Sequence, residues 1–162
     1  MGSGTLDSYP LIADQTNATL GSELVTNGDF ATDSNWTKGT GWTISGGSAN
    51  CDGTQSGNTG LVQQNGILGV TLDLIVGKAY KMQFDATVSS GFITNIEVGG
   101  NYNNDNITTT NSYTLYFVPS STNDRITFTA NPDFVGSIDN VTVKKVNGNP
   151  AIMTNQTSSD IE

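Results

Sequence analysis

The sequence predicts an all-β protein, an antiparallel β-sandwich of the jelly-roll type with extended N- and C-terminal arms. Many short segments alternate apolar and polar residues with a period of two, and almost none shows a helical period. The clearest segment is 79–88, in which Tyr80, Met82 and Phe84 face one side and the polar residues between them face the other. That alternation is typical of a half-buried antiparallel strand.

Similar segments recur at short, regular intervals along the chain, with turn signals between them. We predict strands over residues 23–27, 41–45, 47–52, 60–65, 67–75, 79–88, 92–98, 107–110, 112–118, 124–130 and 135–146. So many short strands at this spacing favour a sandwich over a helical or mixed fold.

Turn residues mark where these strands end. Asn65-Gly66 lies between two apolar runs and predicts a two-residue hairpin that joins strands 60–65 and 67–75. Gly77-Lys78 and Gly99-Gly100 predict two further turns. The second of these turns begins a polar stretch, residues 99–110, that we interpret as a loop.

The later strands repeat the alternation. Tyr113, Leu115 and Phe117 lie two residues apart, as do Ile126 and Phe128. Each set predicts one buried strand face.

The pattern divides the chain into an N-terminal arm (1–22), the sandwich (23–146) and a C-terminal arm (147–162). Neither arm has enough apolar surface to fold alone, so we expect each to be held by neighbouring chains or by the sandwich itself. The expected partner-binding residues are the apolar side chains of the arms: Leu6, Tyr9, Leu11, Ile12, Ile152 and Met153.

Charge and composition exclude several classes of function. The net charge is −9 with six Lys and Arg, which leaves no basic stripe for nucleic acid or for an anionic membrane. The chain has no histidine and a single cysteine, Cys51, which removes zinc clusters, an intrachain disulfide and the commonest general base. No nucleophile elbow or phosphate-binding glycine loop occurs, so we expect no enzymatic activity.

Three motifs carry a resemblance to a known family. Residues 24–30 read LVTNGDF and are followed by Trp36 and Gly41-Trp42; residues 77–87 read GKAYKMQFDAT; residues 136–146 read GSIDNVTVKKV. In this order they resemble the carbohydrate-binding-module-like jelly rolls found in secreted glycosidases and in bacteriophage virion proteins. The low charge and the Asn-, Thr- and Gly-rich composition favour the virion group.

The resemblance implies a structural calcium ion where the opening and closing strands meet. Asp139 matches the acidic residue of the closing motif. Ala31 stands where the family usually has an acidic residue, and Asp29 and Asp33 would have to compensate. The alternative is that Asp29 and Asp139 only accept backbone hydrogen bonds in turns.

The resemblance also implies a glycan site, in which exposed aromatic rings stack on sugars and polar side chains hold the hydroxyl groups. Tyr102 is the best candidate ring, with Asn103 and Asp105 beside it in the polar stretch. The other candidate rings are Trp36, Trp42 and Tyr116. Trp42 lies on an apolar strand and is expected in the core, and Trp36 is expected to hold its loop against the core.

The main hypothesis is a non-enzymatic virion structural protein, a capsid decoration or accessory protein whose arms bind the capsid shell or copies of itself. The alternative is a carbohydrate-binding module or a host-adhesion domain of a tail fibre. The N-terminus shows no signal-peptide pattern, so we expect synthesis in the host cytoplasm and a final location on the virion.

Overall fold

The computed structural model describes residues 19–122 and 124–147, which form two antiparallel β-sheets packed face to face. This confirms the predicted all-β sandwich. Within these residues there is no helix, and hence none that is long and apolar enough to cross a membrane. The strands are β1 (Leu20–Glu23), β2 (Thr37–Lys38), β3 (Trp42–Ser45), β4 (Ser48–Asp52), β5 (Thr59–Gln64), β6 (Tyr80–Ser90), β7 (Ile93–Val98), β8 (Asn101–Asn103), β9 (Asn111–Phe117), β10 (Arg125–Ala130) and β11 (Val135–Val146).

The two sheets differ in size. One has six strands in the order β3-β4-β11-β6-β9, with β1 also paired to β11, and the other has five in the order β2-β5-β10-β7-β8. The core lies between them because the period of two turns every second side chain inward. Phe84 of the six-stranded sheet and Phe128 of the five-stranded sheet meet edge to face, with ring centroids 5.1 Å apart.

The connection after β5 corrects one predicted strand and the hairpin that would have included it. Asn65-Gly66 does form a turn, but residues 67–75 pair with no strand. The backbone N–H of Leu72 instead donates to the side-chain oxygen of Asn65 at 3.2 Å. The apolar alternation packs an irregular segment against the core through buried Val70, Leu72 and Leu74.

The stretch after β7 differs from prediction in two ways. Residues 107–110 form no strand beyond a single bridge between Ile107 and Ile93, and the predicted polar loop contains β8, which the Gly99-Gly100 turn joins to β7. The sequence analysis did not predict β8 or β2, because both are very short, mainly polar strands at the edges of their sheet.

Strand β1 begins at Leu20, before the boundary predicted at residue 23. Leu20 pairs with Val146 at the end of β11, so residues 20–22 lie in the sandwich. The predicted partner-binding residues lie outside the described part of the chain, and their role stays a prediction. They are Leu6, Tyr9, Leu11, Ile12, Ile152 and Met153.

The opening segment of the sandwich (residues 23–30) packs directly against the closing strand, β11. A Cβ atom added at Gly28 would lie 2.0 Å from the carbonyl oxygen of Val141 in β11, and the Gly28 carbonyl accepts the N–H of Val141 at 2.9 Å. One carboxylate oxygen of Glu23 accepts three backbone N–H groups, including that of Val143 in β11 at 2.7 Å. The opening segment therefore fixes the position of β11.

We expect Gly28→Ala to lower the free energy of unfolding by more than about 2 kcal/mol, because the added methyl group would push the opening segment away from β11. Gly57→Ala is the matched control, since nothing lies within 4 Å of its added Cβ; its effect should stay within about 0.5 kcal/mol. Urea unfolding followed by tryptophan fluorescence measures both variants. Equal stabilities would contradict the close approach at Gly28.

Candidate functional site

The outer face of the five-stranded sheet carries a row of side chains that crosses every strand of that sheet. Because Ile126 and Phe128 of β10 point into the core, Thr127 between them points outward. In each neighbouring strand, out to both edges of the sheet, one residue lies directly opposite this position. We call the set the cross-strand row; its members are Thr37, Val62, Thr127, Glu97 and Tyr102. Four inter-strand spacings of about 4.8 Å make the row about 19 Å long.

Tyr102 ends the row with an exposed aromatic ring. It lies in β8 opposite Glu97 and is 50% exposed. Its phenol lies beside the guanidinium of Arg125 and contributes to a raised pKa of that group. The exposure agrees with the sequence-based expectation, while the glycan-binding role of Tyr102 stays a prediction at this point.

Glu97 and Arg125 form an ion pair on the same face. Oε2 of Glu97 accepts hydrogen bonds from Nε and Nη2 of Arg125, each at 2.7 Å. The Glu97 side chain is 3% exposed and that of Arg125 is 36% exposed. Hydrogen bonding to Glu97 is the main cause that raises the pKa of Arg125, so Arg125 stays protonated and its charge offsets that of Glu97.

Two neighbouring oxygens in the row lack a hydrogen-bond partner. Among the described residues, four buried side-chain atoms are unpartnered, and two of them are Oε1 of Glu97 and Oγ1 of Thr127. These two residues lie opposite each other in β7 and β10. Buried polar atoms are nearly always bonded, and each unpartnered group costs on the order of 1–3 kcal/mol, so their occurrence side by side marks this position as unusual.

Of the two residues that the sequence grouped with Tyr102, Asn103 does not share its face, and Asp105 lies beyond the end of β8. Asn103 lies opposite Ile96, whose side chain is in the core, so Asn103 points to the other side of β8 from Tyr102. Its side-chain oxygen accepts the N–H of Asp105 at 3.2 Å and shapes the turn after β8. The structure thus places these two residues apart from the row, and their role in glycan binding stays a prediction.

The sequence reasoning missed Glu97, Arg125 and Thr127. A signal was present: Arg125 is the only arginine of the chain, and Glu97 lies between two apolar residues of a predicted strand. That these residues meet depends on the pairing of β7 with β10. Alternation within each strand does not specify that long-range register.

The remaining aromatic candidates offer no comparable ring. Trp36 and Trp42 are buried, and Trp42 packs against Phe134 with ring centroids 5.9 Å apart, in the core as predicted. Tyr116 is half-buried on β9 in the other sheet.

Asp29 and Asp139, the predicted calcium ligands, lie near each other beside the six-stranded sheet. Burial raises the pKa of Asp139, and the negative charges of Asp85 and Asp29 raise it further. Asp139 lies opposite Asp85 in β6, and a β-bulge follows it at Asn140, whose φ is 51°. Hydrogen bonds from Ser112 and Asn140 lower the pKa of Asp85.

These carboxylates do not by themselves form a calcium site. Ca²⁺ takes six to eight oxygen ligands. Within residues 19–122 and 124–147, no group of three or more His, Cys, Asp or Glu side chains could hold a metal ion. Asp29 and Asp139 instead accept nearby backbone N–H groups, those of Ala31 at 3.4 Å and Asn140 at 2.6 Å. The calcium ion stays a prediction that the described residues do not support.

The outer face of the six-stranded sheet holds a shallow hollow of about 310 Å³. Its polar side chains bond one another: Asn140 donates to Asp85 at 2.8 Å and Gln83 donates to Thr114 at 3.3 Å. The aromatic residues of its lining, Phe84 and Tyr113, stack on each other at 5.2 Å and neither is exposed. The hollow offers no free ring, so the cross-strand row is the stronger candidate.

Known structures resemble this chain in fold. A domain of tailspike protein 4 of bacteriophage CBA120, described as enzymatically active, matches with a TM-score of 0.53 and 22% identity. That match covers 76% of this chain but only 21% of the tailspike chain, so this chain spans about a fifth of its length.

Two bacterial domains match over nearly their whole length. The N-terminal cellulose-binding domain of β-1,4-glucanase C from Cellulomonas fimi has a TM-score of 0.50 and 19% identity, covering 76% of this chain and 97% of that one. The CBM22-1 xylan-binding domain of Xyn10C from Paenibacillus barcinonensis has a TM-score of 0.51 and 13% identity, covering 80% and 97%. No family model and no curated protein matches the chain. The fold is therefore that of the carbohydrate-binding-module-like jelly rolls, as the sequence motifs predicted.

We expect Asp85→Asn to lower the pKa of Asp139, because it removes a neighbouring negative charge with little change in size. In the wild type, Asp139 should titrate above its ordinary value of 3.8 and Asp85 below it. Carbon-detected NMR of the carboxyl groups along an acidic pH series measures both pKa values.

The sign of the pH effect follows from the raised pKa. The folded chain binds the Asp139 proton more tightly than the unfolded chain does. The contribution of Asp139 to the free energy of unfolding is therefore complete at acidic pH. It is lost as the pH rises through the folded pKa. Asp52→Asn, at the far end of β4, is the control and should leave the pKa of Asp139 unchanged. An Asp139 pKa that does not respond to Asp85→Asn would contradict the coupling.

Proposed function

We propose that this domain is a non-catalytic glycan-binding module and that the cross-strand row is its binding face. The observation that carries the proposal is the exposed ring of Tyr102 beside the Glu97–Arg125 ion pair on the outer face of one sheet. A sugar ring has an apolar C–H face that packs on an aromatic ring and hydroxyl groups that need polar partners. Binding sites for such ligands combine apolar surface with a few placed polar groups, and the row offers both.

The sheet holds this face in a defined geometry. Thr127 and Glu97 lie in strands with neighbours on both sides, and their adjacent residues, such as Ile126 and Ile96, are buried in the core. Sites built on strands keep their geometry better than sites on loops. An extended oligosaccharide fits along a row of about 19 Å that crosses five strands.

We propose adhesion to a glycan, on a phage particle, as the biological setting. The similar structures include a cellulose-binding domain, a xylan-binding domain and a domain of a phage tailspike. They support this role better than the capsid decoration favoured by the sequence analysis. The residues expected to anchor the protein to a capsid lie outside the described part of the chain, so the fold lends capsid anchoring no support.

The absence of catalysis is part of the proposal. Glycoside hydrolysis uses two carboxyl groups that flank the scissile bond. The cross-strand row has one carboxyl group, that of Glu97, and one of its oxygens is already bonded to Arg125. The chain also has no histidine to act as a general base.

We expect Tyr102→Ala to weaken glycan binding about tenfold or more, because truncating the exposed ring of the row removes most of its stacking surface. Tyr116→Ala, on the six-stranded sheet, is the matched control and should leave the affinity unchanged. Affinity electrophoresis in gels that contain cellulose derivatives, xylan or bacterial surface polysaccharide measures retardation of each variant.

Two results would contradict the proposal. One is a wild-type protein that no polysaccharide retards. The other is equal retardation of the wild type and Tyr102→Ala together with a loss for Tyr116→Ala, which would move the binding face to the other sheet.

A further inference from the structure

We infer that Glu97 and Thr127 together bind one hydroxyl group of the ligand, so that the site selects neutral sugars with two adjacent free hydroxyl groups over uronic acids and sulfated sugars. This inference rests on the proposed function, because it concerns the ligand of the same face. It starts from the two unpartnered oxygens of the cross-strand row.

The unpartnered groups are placed as a pair. Thr127 and Glu97 are opposite residues in neighbouring antiparallel strands, and both side chains point outward. Opposite Cβ atoms in such a pair lie about 5 Å apart, close enough for one small group to contact both side chains. The Glu97 side chain is 3% exposed, yet only its Oε2 is bonded, to Arg125.

The chemistry of the two oxygens defines the missing group. The ionised carboxylate oxygen Oε1 of Glu97 only accepts hydrogen bonds, so the ligand must donate to it. The hydroxyl of Thr127 both donates and accepts. A ligand hydroxyl can donate to Glu97 while it accepts from Thr127, and a ligand group that only accepts cannot satisfy Glu97.

Arg125 supplies the complementary half of the site. Its Nε and Nη2 are bonded to Glu97, and a guanidinium has five N–H donors, so further donors remain for a ligand oxygen. A second hydroxyl group next to the first can accept one of these. The set therefore matches a pair of adjacent sugar hydroxyls beside the ring of Tyr102.

Access to the two oxygens requires a side-chain movement. Both atoms are closed off from solvent, and the side chains that flank them on this face, those of Arg125 and Tyr102, are 36% and 50% exposed. Partly exposed side chains change rotamer readily. A ligand that supplies hydrogen bonds absent from the free protein favours the conformation in which the more exposed Tyr102 has moved aside while Arg125 stays bonded to Glu97.

Charge excludes anionic ligands from the same position. A ligand carboxylate or sulfate would face the free oxygen of Glu97, and the charge of Arg125 is already offset by that carboxylate. The net charge of −9 adds a general repulsion. Unpaired like charges and unsatisfied acceptors are effective means of rejecting a ligand.

The test compares an isosteric variant with a control on the other sheet. The wild type is first screened on a panel of neutral, uronic and sulfated oligosaccharides, and the best ligand is titrated by calorimetry into each variant. Thr127→Val keeps the shape of the side chain and removes the hydroxyl. We expect roughly tenfold weaker binding and an unchanged or higher melting temperature, because an unpartnered buried hydroxyl is lost. Thr43→Val, exposed on β3, should change neither.

The outcomes separate this inference from the proposed function. Full affinity of Thr127→Val, or a wild type that prefers uronic or sulfated oligosaccharides, would overturn the inference and leave glycan binding intact. Failure of the wild type to bind any oligosaccharide of the panel would overturn both.

Discussion

The close approach of the opening segment to β11 at Gly28 and Val141 is the constraint on which the rest of the structure depends. It leaves no room for a Cβ at Gly28 and adds a backbone hydrogen bond of 2.9 Å. Strand β11 in turn pairs with β4, β6 and β1, so it organises the six-stranded sheet. Because a shift of one residue would turn every side chain of β11 to the other face, this contact also fixes which residues form the core.

Two buried glutamines of the sandwich have side chains bonded to the backbone, whereas the indole N–H of Trp42 in the core has no hydrogen-bond partner in the described part of the chain. The amide of Gln63 bonds both the N–H and the carbonyl of Thr26, at 3.0 and 2.7 Å, and the amide nitrogen of Gln55 bonds two backbone carbonyls at 3.0 Å. Two neighbouring oxygens of Glu97 and Thr127 have no such partners. Of the four unpartnered atoms among the described residues, these two lie on opposite residues of neighbouring strands on one outer face, so a single ligand group can complete both.

The sandwich could be predicted from the sequence because the alternation that indicates a strand lies within that strand. The alternation in β6, β9 and β10 appears in the residues themselves, and the buried Trp42 follows from its apolar strand. The cross-strand row could not be predicted in the same way. Tyr102 was identified as an exposed ring, but its partners come from strands distant in sequence, and Asn103 beside it points to the other side of β8. Residues 67–75 were predicted as a strand that the structure does not contain. Their strand-like alternation belongs to an irregular segment packed on the core.

The most direct test of the account is an NMR titration of the ¹⁵N-labelled protein with neutral β-linked oligosaccharides such as cellohexaose and xylohexaose. Backbone amide shifts locate the bound ligand without any substitution. We expect saturable shifts at the row in β10, β7 and β8, centred on Thr127, Glu97 and Tyr102. Shifts confined to Asp85 and Ser112 around the hollow of the other sheet, or no shifts at high ligand concentration, would contradict the assignment of this face as the binding site.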